Sequence, residues 1–123
     1  MPGKIVHFEL PAADADRASG FWNGLFGWGL GASAMPDFDY RMAQVSDDQA
    51  VAVFPSDDKA GTGPIVYFET ADIEASIAKA RALGGEAEDK SPVPGHGWFA
   101  ACKDTEGNTF SLWQQDESAA PPA

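Results

Sequence analysis

The segment Ile5-Val6-His7-Phe8-Glu9 returns sixty residues later as Ile65-Val66-Tyr67-Phe68-Glu69, and a helix-like run follows each copy. A supersecondary unit that occurs twice in 123 residues makes the chain a tandem of two related modules. Both copies must then fold on one plan. They differ most at the third position, where His7 corresponds to Tyr67.

Residues 4–10 read as a buried strand, apolar and β-rich, ended by Pro11. Asp14 is a good N-cap, and Ala18, Phe21, Trp22, Leu25 and Phe26 recur at helical spacing as a buried stripe. Gly27, Gly29 and Gly31 end that helix. Residues 39–46 and 50–54 are expected to form a hairpin turning at Asp47-Asp48, with a short strand near 30–36 before it. Residues 55–63 have linker composition. The second module repeats the plan with a strand at 64–70, a helix capped by Asp72, and a stripe of Ile73, Ile77, Ala80 and Leu83 closed by Gly84-Gly85. Strands near 86–90, 98–103 and 108–114 follow, the last two joined by the turn 104–108. The tail 116–123 is expected to be disordered and to carry no site. The whole chain, 1–123, is one α+β domain with modules at 4–54 and 64–114. Helices placed early in each half, with strands clustered after them, exclude a doubly wound parallel sheet.

Nineteen acidic against eight basic residues leave a net charge of −11. Such a surface repels phosphate backbones and anionic headgroups, so neither nucleic acid nor membrane is an expected partner. A single cysteine, Cys102, excludes an intrachain disulfide and reads as a small buried hydrophobe in a reducing compartment. The chain start does not read as a signal peptide and no apolar run reaches spanning length, which makes the cytoplasm the expected location. No glycine-rich loop precedes a helix, no serine sits in a nucleophile elbow, and no Cys/His cluster has zinc spacing.

The stretches HFELPAADADRASGFWNGLFGW (7–28), ADIEASIAKARALGG (71–85) and GWFAACKDTEGNTFSLWQ (97–114), in that order, resemble the vicinal oxygen chelate superfamily of glyoxalases, bleomycin-resistance proteins and extradiol dioxygenases. The resemblance implies two βαβββ modules whose curved sheets form a half-open barrel. It also implies a ligand, usually with a divalent metal, on the concave face, and a homodimer.

Alternation along a strand places His7 and Glu9 on one face and the large apolar Val6, Phe8 and Leu10 on the other, under the helix. The same logic gives the cavity Tyr67 and Glu69 from the second module, with Ser111 and Trp113 from its last strand. Phe38, Tyr40 and Phe54 are candidates for the cavity wall, and His96 and Trp98 for its mouth. Similar glyoxalases carry their first metal ligand seven residues before the capping Asp, which is His7 here. Their other ligand positions fall on Ile65 or Tyr67, on Ser111 and near Ala52. Three of four donors are therefore lost, and a lone imidazole is too poor a site for a divalent ion. A reduced site of His7, Glu9, Tyr67 and Glu69 is the alternative.

The leading expectation is a glyoxalase- or bleomycin-resistance-like protein that binds a small organic molecule with no metal or other cofactor. A ligand surface of His7, Glu9, Tyr40, Phe54, Tyr67, Glu69, His96, Trp98, Ser111 and Trp113 would serve it. The alternative is an enzyme of lyase, isomerase or dioxygenase type. It would use His7 with Tyr67 and Glu69 as catalytic groups, with or without a divalent metal at His7. A third reading is a regulatory partner whose cavity is vestigial. The residues alone leave open whether any reaction is catalysed.

Overall fold

The computed structural model describes residues 3–33, 35 and 37–121. It contains β1 (Ile5–Ala12), α1 (Ala15–Phe26), β2 (Arg41–Ser46), β3 (Gln49–Pro55), β4 (Ile65–Glu69), α2 (Ile73–Ala82), β5 (Glu86–Ala87), β6 (Ser91–Val93), β7 (Gly97–Lys103) and β8 (Thr109–Gln115). By contact the chain divides into two compact units, Val6–Ile65 and Val66–Ala123 with Met1–Ile5. Among the described residues no helix is long and apolar enough to cross a membrane.

In the first unit β3 lies between β2, antiparallel, and β1, parallel. Val51 and Val53 of β3 pack with Ala12, Ala15 and Leu30, against Phe8, Leu10 and Trp22. Burying each valine contributes about 1.5–3 kcal/mol relative to exposure. The Asp14 carboxylate accepts from Arg17 N at 3.0 Å and caps α1, while Gly27 closes it at φ 67, a left-handed conformation. β1 runs through Pro11 rather than ending there. Its partner β3 continues to Pro55, with Pro11 opposite Phe54 and Ala12 opposite Pro55. The expected α1 stripe is also displaced. Ala15, Ser19, Ala18 and Trp22 meet the sheet, whereas Phe21, Leu25 and Phe26 are 60%, 56% and 58% exposed.

Of the strand expected near 30–36, residues 30–33 and 35 are in no strand, and 34 and 36 lie outside the described residues. Ser33 is the reason. Its hydroxyl accepts from Tyr40 N at 2.8 Å and donates to Phe38 O at 2.7 Å, folding the segment back on itself.

The second unit repeats the arrangement: β4 pairs parallel with β8, and β8 antiparallel with β7. The short strands β5 and β6 both pair with β7. Only Glu86–Ala87 of the strand expected at 86–90 forms, and β6 was not expected. Ile73 and Ile77 of α2 pack with Ala100 and Cys102, against Phe110 and Leu112. Leu83, placed on the buried stripe by periodicity, is 70% exposed because α2 ends at Ala82. Asp72 caps α2 through Ala75 N at 3.1 Å, and Gln114 Oε1 accepts from Ile73 N at 2.8 Å.

The expected disorder of the tail does not describe residues 116–121. Asp116 N donates to His96 O, Gly95 N donates to Ala119 O, and Ala119 is 3% exposed. Satisfying those backbone groups and burying that methyl hold the segment against the β6–β7 turn.

Candidate functional site

Alternation on β1 sends Phe8 and Leu10 into the α1 core, so His7 and Glu9 project from the opposite face of the first unit's sheet. The register extends that face: Ala50 and Gln44 lie beside His7, and Ala52 and Met42 beside Glu9. Tyr40, immediately before β2, lies on the same side. Its neighbours Asp39 and Arg41 point the other way. Arg41 holds the Asp39 carboxylate through two hydrogen bonds (2.9 and 3.0 Å), reaches Asp16 at 2.8 Å and approaches Ser19 of α1 at 3.4 Å. Those bonds keep the Asp39 carboxyl below its ordinary range. With Ser33 holding the Tyr40 amide and the Arg41 side chain anchored to α1, the tyrosine ring takes the opposite direction, away from α1.

That direction brings the Tyr40 hydroxyl between His7 and Glu9. It donates to Glu9 Oε2 at 2.7 Å and lies 2.6 Å from His7 Nε2. The phenol has one proton, so while it donates to Glu9 it accepts from His7 Nε2–H, and the neutral imidazole keeps its lone pair on Nδ1. Burial holds His7 down to about 4 from its ordinary 6.5, so at neutral pH the ring carries no charge. Phe54 and Phe38 flank Tyr40, with ring centroids 6.3 and 5.7 Å away. Tyr40 itself is 8% exposed. The first unit thus gathers four of the residues expected from sequence: His7, Glu9, Tyr40 and Phe54.

In the second unit, Tyr67 lies opposite Ser111, and Glu69 opposite Trp113, on the face of β4 and β8 turned away from α2. Tyr67 and Ser111 are buried. Phe99 and Ala101 of β7 complete these rows. His96 is exposed on the β6–β7 turn. Trp98 is a correction. The same alternation that puts Phe99 beside Trp113 turns Trp98 to the α2 side, against the core of Ile73 and Ile77.

Phe38, a candidate for the cavity wall, lies against Tyr40, while Ser33 and Met42 belong to the first unit's site without having been expected there. Met42 is legible once β2 is in register with β3. Ser33 carries no local signal, because its role is set by backbone groups five and seven residues on. Among the described residues no three His, Cys, Asp or Glu side chains gather to hold a metal ion. His7 and Glu9 are instead joined through a phenol. Ala52, where similar glyoxalases carry a ligand, offers only a methyl beside Glu9.

Comparison with known proteins shows the family. The glyoxalase-like domain model matches residues 6–113. A glyoxylase-like domain-containing protein of Didymella fabae is 29% identical over 122 residues, covering 91% of this chain and 94% of that one. Among solved structures, a variant of methylmalonyl-CoA epimerase from Streptomyces coelicolor, bound to 2-nitronate-propionyl-CoA, superposes with a TM-score of 0.74 at 17% identity, covering 98% of this chain and 100% of that one. A glyoxalase/bleomycin resistance protein/dioxygenase superfamily member from Vibrio splendidus 12B01 gives a TM-score of 0.68 at 15% identity, over 92% and 99% of the two chains. At such identities the structures share the fold. With that domain model matching most of its length, the chain belongs to the glyoxalase-like domain family, and it shares its fold with the glyoxalase/bleomycin resistance protein/dioxygenase superfamily member.

Proposed function

We propose that the protein binds a small organic molecule on the His7–Tyr40–Glu9 face of its first module, without a divalent metal. The observation that carries the reading is the hydrogen-bonded series from His7 Nε2 through the Tyr40 hydroxyl to Glu9, set among Phe38, Phe54 and Met42. A few converging polar groups in an aromatic wall orient a small ligand by its polar atoms and hold it by its apolar area. The charge of −11 favours a neutral or cationic ligand. Coenzyme A carries several phosphate charges, so the ligand of the Streptomyces coelicolor epimerase is a poor template for this chain.

Binding is favoured over turnover by the state of His7. An imidazole held at about 4 is a weak base at pH 7, several units from the value at which general base catalysis is efficient. The specific observation favouring an enzyme is the Tyr40–Glu9 bond, since a carboxylate that can take a proton from a substrate carbon, beside a phenol that can donate to a substrate oxygen, is a pair an isomerase or epimerase could use without a metal. The sequence-derived catalytic set of His7, Tyr67 and Glu69 stays within this second reading. A homodimer is supported by the exposed Phe21, Leu25 and Phe26 of α1. A reducing, cytoplasmic setting is supported by the lone buried Cys102.

The test is a thermal-shift screen of neutral and cationic aromatic compounds on protein stripped with chelator. A compound that raises the melting temperature of wild type, and at least tenfold less effectively that of Tyr40→Phe, supports the reading. A shift that needs added zinc, nickel, iron or manganese sinks the metal-free part. Turnover that survives Tyr40→Phe sinks the second reading.

A further inference from the structure

We propose that the groove on the α2 side of the second module is a separate ligand site, one for a small organic cation with an apolar body. The groove has a volume of about 630 Å3 and is lined by Glu74, Ile77 and Arg81 of α2, by Asp89 and Lys90 after β5, and by Trp98 of β7. That volume falls among pockets that hold small molecules. Trp98, Pro92 of β6 and Ala78 of α2 provide the apolar surface, and charged groups stand at the rim.

The chemistry of the occupant is read from what already lies there. The Lys90 ammonium sits 4.1 Å from the centroid of the Trp98 ring, a cation on an aromatic face. The indole N–H of that ring donates to Asp116 Oδ2 at 3.0 Å, which places a carboxylate at the ring's edge. Bonds from Ser118 and Trp98, and the charge of Lys90, keep that carboxyl below its ordinary range. Arg81 is committed elsewhere, to Ala87 O at 2.8 and 3.1 Å and to Asp89 at 3.2 Å. Lys90 is in no salt bridge among the described residues and rides on a flexible four-carbon stem.

Lys90 is therefore a tethered stand-in for the ligand and its competitor. When it swings into solvent, Glu74 and Asp89 of the lining stand against one guanidinium, with the Asp116 carboxylate at the edge of the indole, and the groove favours a positive charge. An ammonium attached to an apolar body gains the indole face together with the surfaces of Ala78 and Pro92, which the tip of a lysine cannot cover.

Benzyltrimethylammonium is the probe and benzyl alcohol its neutral control, each titrated calorimetrically into wild type and Lys90→Ala at matched ionic strength. The expected result is probe binding about tenfold tighter in Lys90→Ala than in wild type, with no binding of benzyl alcohol to either. In the Lys90→Ala background, Trp98→Leu removes the gain. Equal affinities in wild type and Lys90→Ala overturn the proposal. So does binding that survives Trp98→Leu, which would reduce the effect to general attraction of cations to an acidic surface. If Trp98→Leu does not fold, Glu74→Gln and Asp116→Asn decide: each is expected to weaken the probe about threefold, and no change in either overturns the proposal.

Discussion

The two modules share a strand motif, a capped helix, a hairpin and a parallel closure of first strand on last, yet they employ their sheets differently. In the first, β1 carries a buried imidazole joined to a carboxylate through Tyr40, and α1 leaves an aromatic face in solvent. In the second, Tyr67 holds the matching place beside Ser111, and α2 seats Ile73 and Ile77 at 0% and 5% exposure. Duplication preserved the frame, and one position of the strand motif changed the chemistry. The first module gave up some packing around α1 where the second kept it. Substitutions that act on one module and spare its twin can break or sharpen this contrast.

The largest effect is expected in the helix cores. Ile73→Ala should cost about 3–4 kcal/mol in urea denaturation, because a fully buried branched side chain leaves a cavity under α2. Phe26→Ala, at 58% exposure on α1, should cost under about 0.5 kcal/mol. Equal costs would mean that α1 is as firmly seated as α2. Next comes pH. His7 is held at about 4 against 6.5 unfolded, so the unfolded chain takes up a proton first as pH falls. Stability is complete above pH 6.5 and declines toward pH 4, by roughly 3 kcal/mol over that window. The comparison of wild type with His7→Gln isolates this term, and identical pH profiles for the two would refute it. Tyr40→Phe should follow at about 2 kcal/mol, since it strips one partner each from Glu9 and His7. It should also change the pH profile, which substitution of an ordinary core tyrosine would leave alone.

Much of this frame is legible in the chain itself. The repeated motif announces two modules, and alternation alone separates His7 and Glu9 from Phe8 and Leu10. Tyr40 is recognisable as a wall residue. Its bridging role is not, because the bonds that define it span 33 and 31 residues. Helical spacing revealed an apolar stripe on α1 but not which flank would pack. Small side chains won, Ala15 packing with Val51 and Val53 of β3 and Ser19 buried near Arg41 of β2, while Phe21 and Leu25 stayed outside. The strand Ser91–Val93 was hidden by Pro92, and the ordered tail by its run of small residues and prolines. Trp98 was misplaced through its loop neighbours, whereas its register with Gln114 decides its side.

The smallest predicted effect concerns the feature the modules share most closely. Asp14 and Asp72 each cap a helix by accepting from the amide three residues on, at 3.0 and 3.1 Å. Asp14→Ala and Asp72→Ala should each cost about 1 kcal/mol, read from matched denaturation curves. If the caps are equivalent, the two costs agree within about 0.5 kcal/mol. The second helix has one more support, because Gln114 Oε1 accepts from Ile73 N and ties the first turn of α2 to β8. Once Asp72 is gone, Gln114 still holds that turn in place, so the double variant Asp72→Ala/Gln114→Ala should cost more than the sum of the singles. Strict additivity would mean that the two acceptors act independently, and that the tie to β8 adds nothing to the cap of α2.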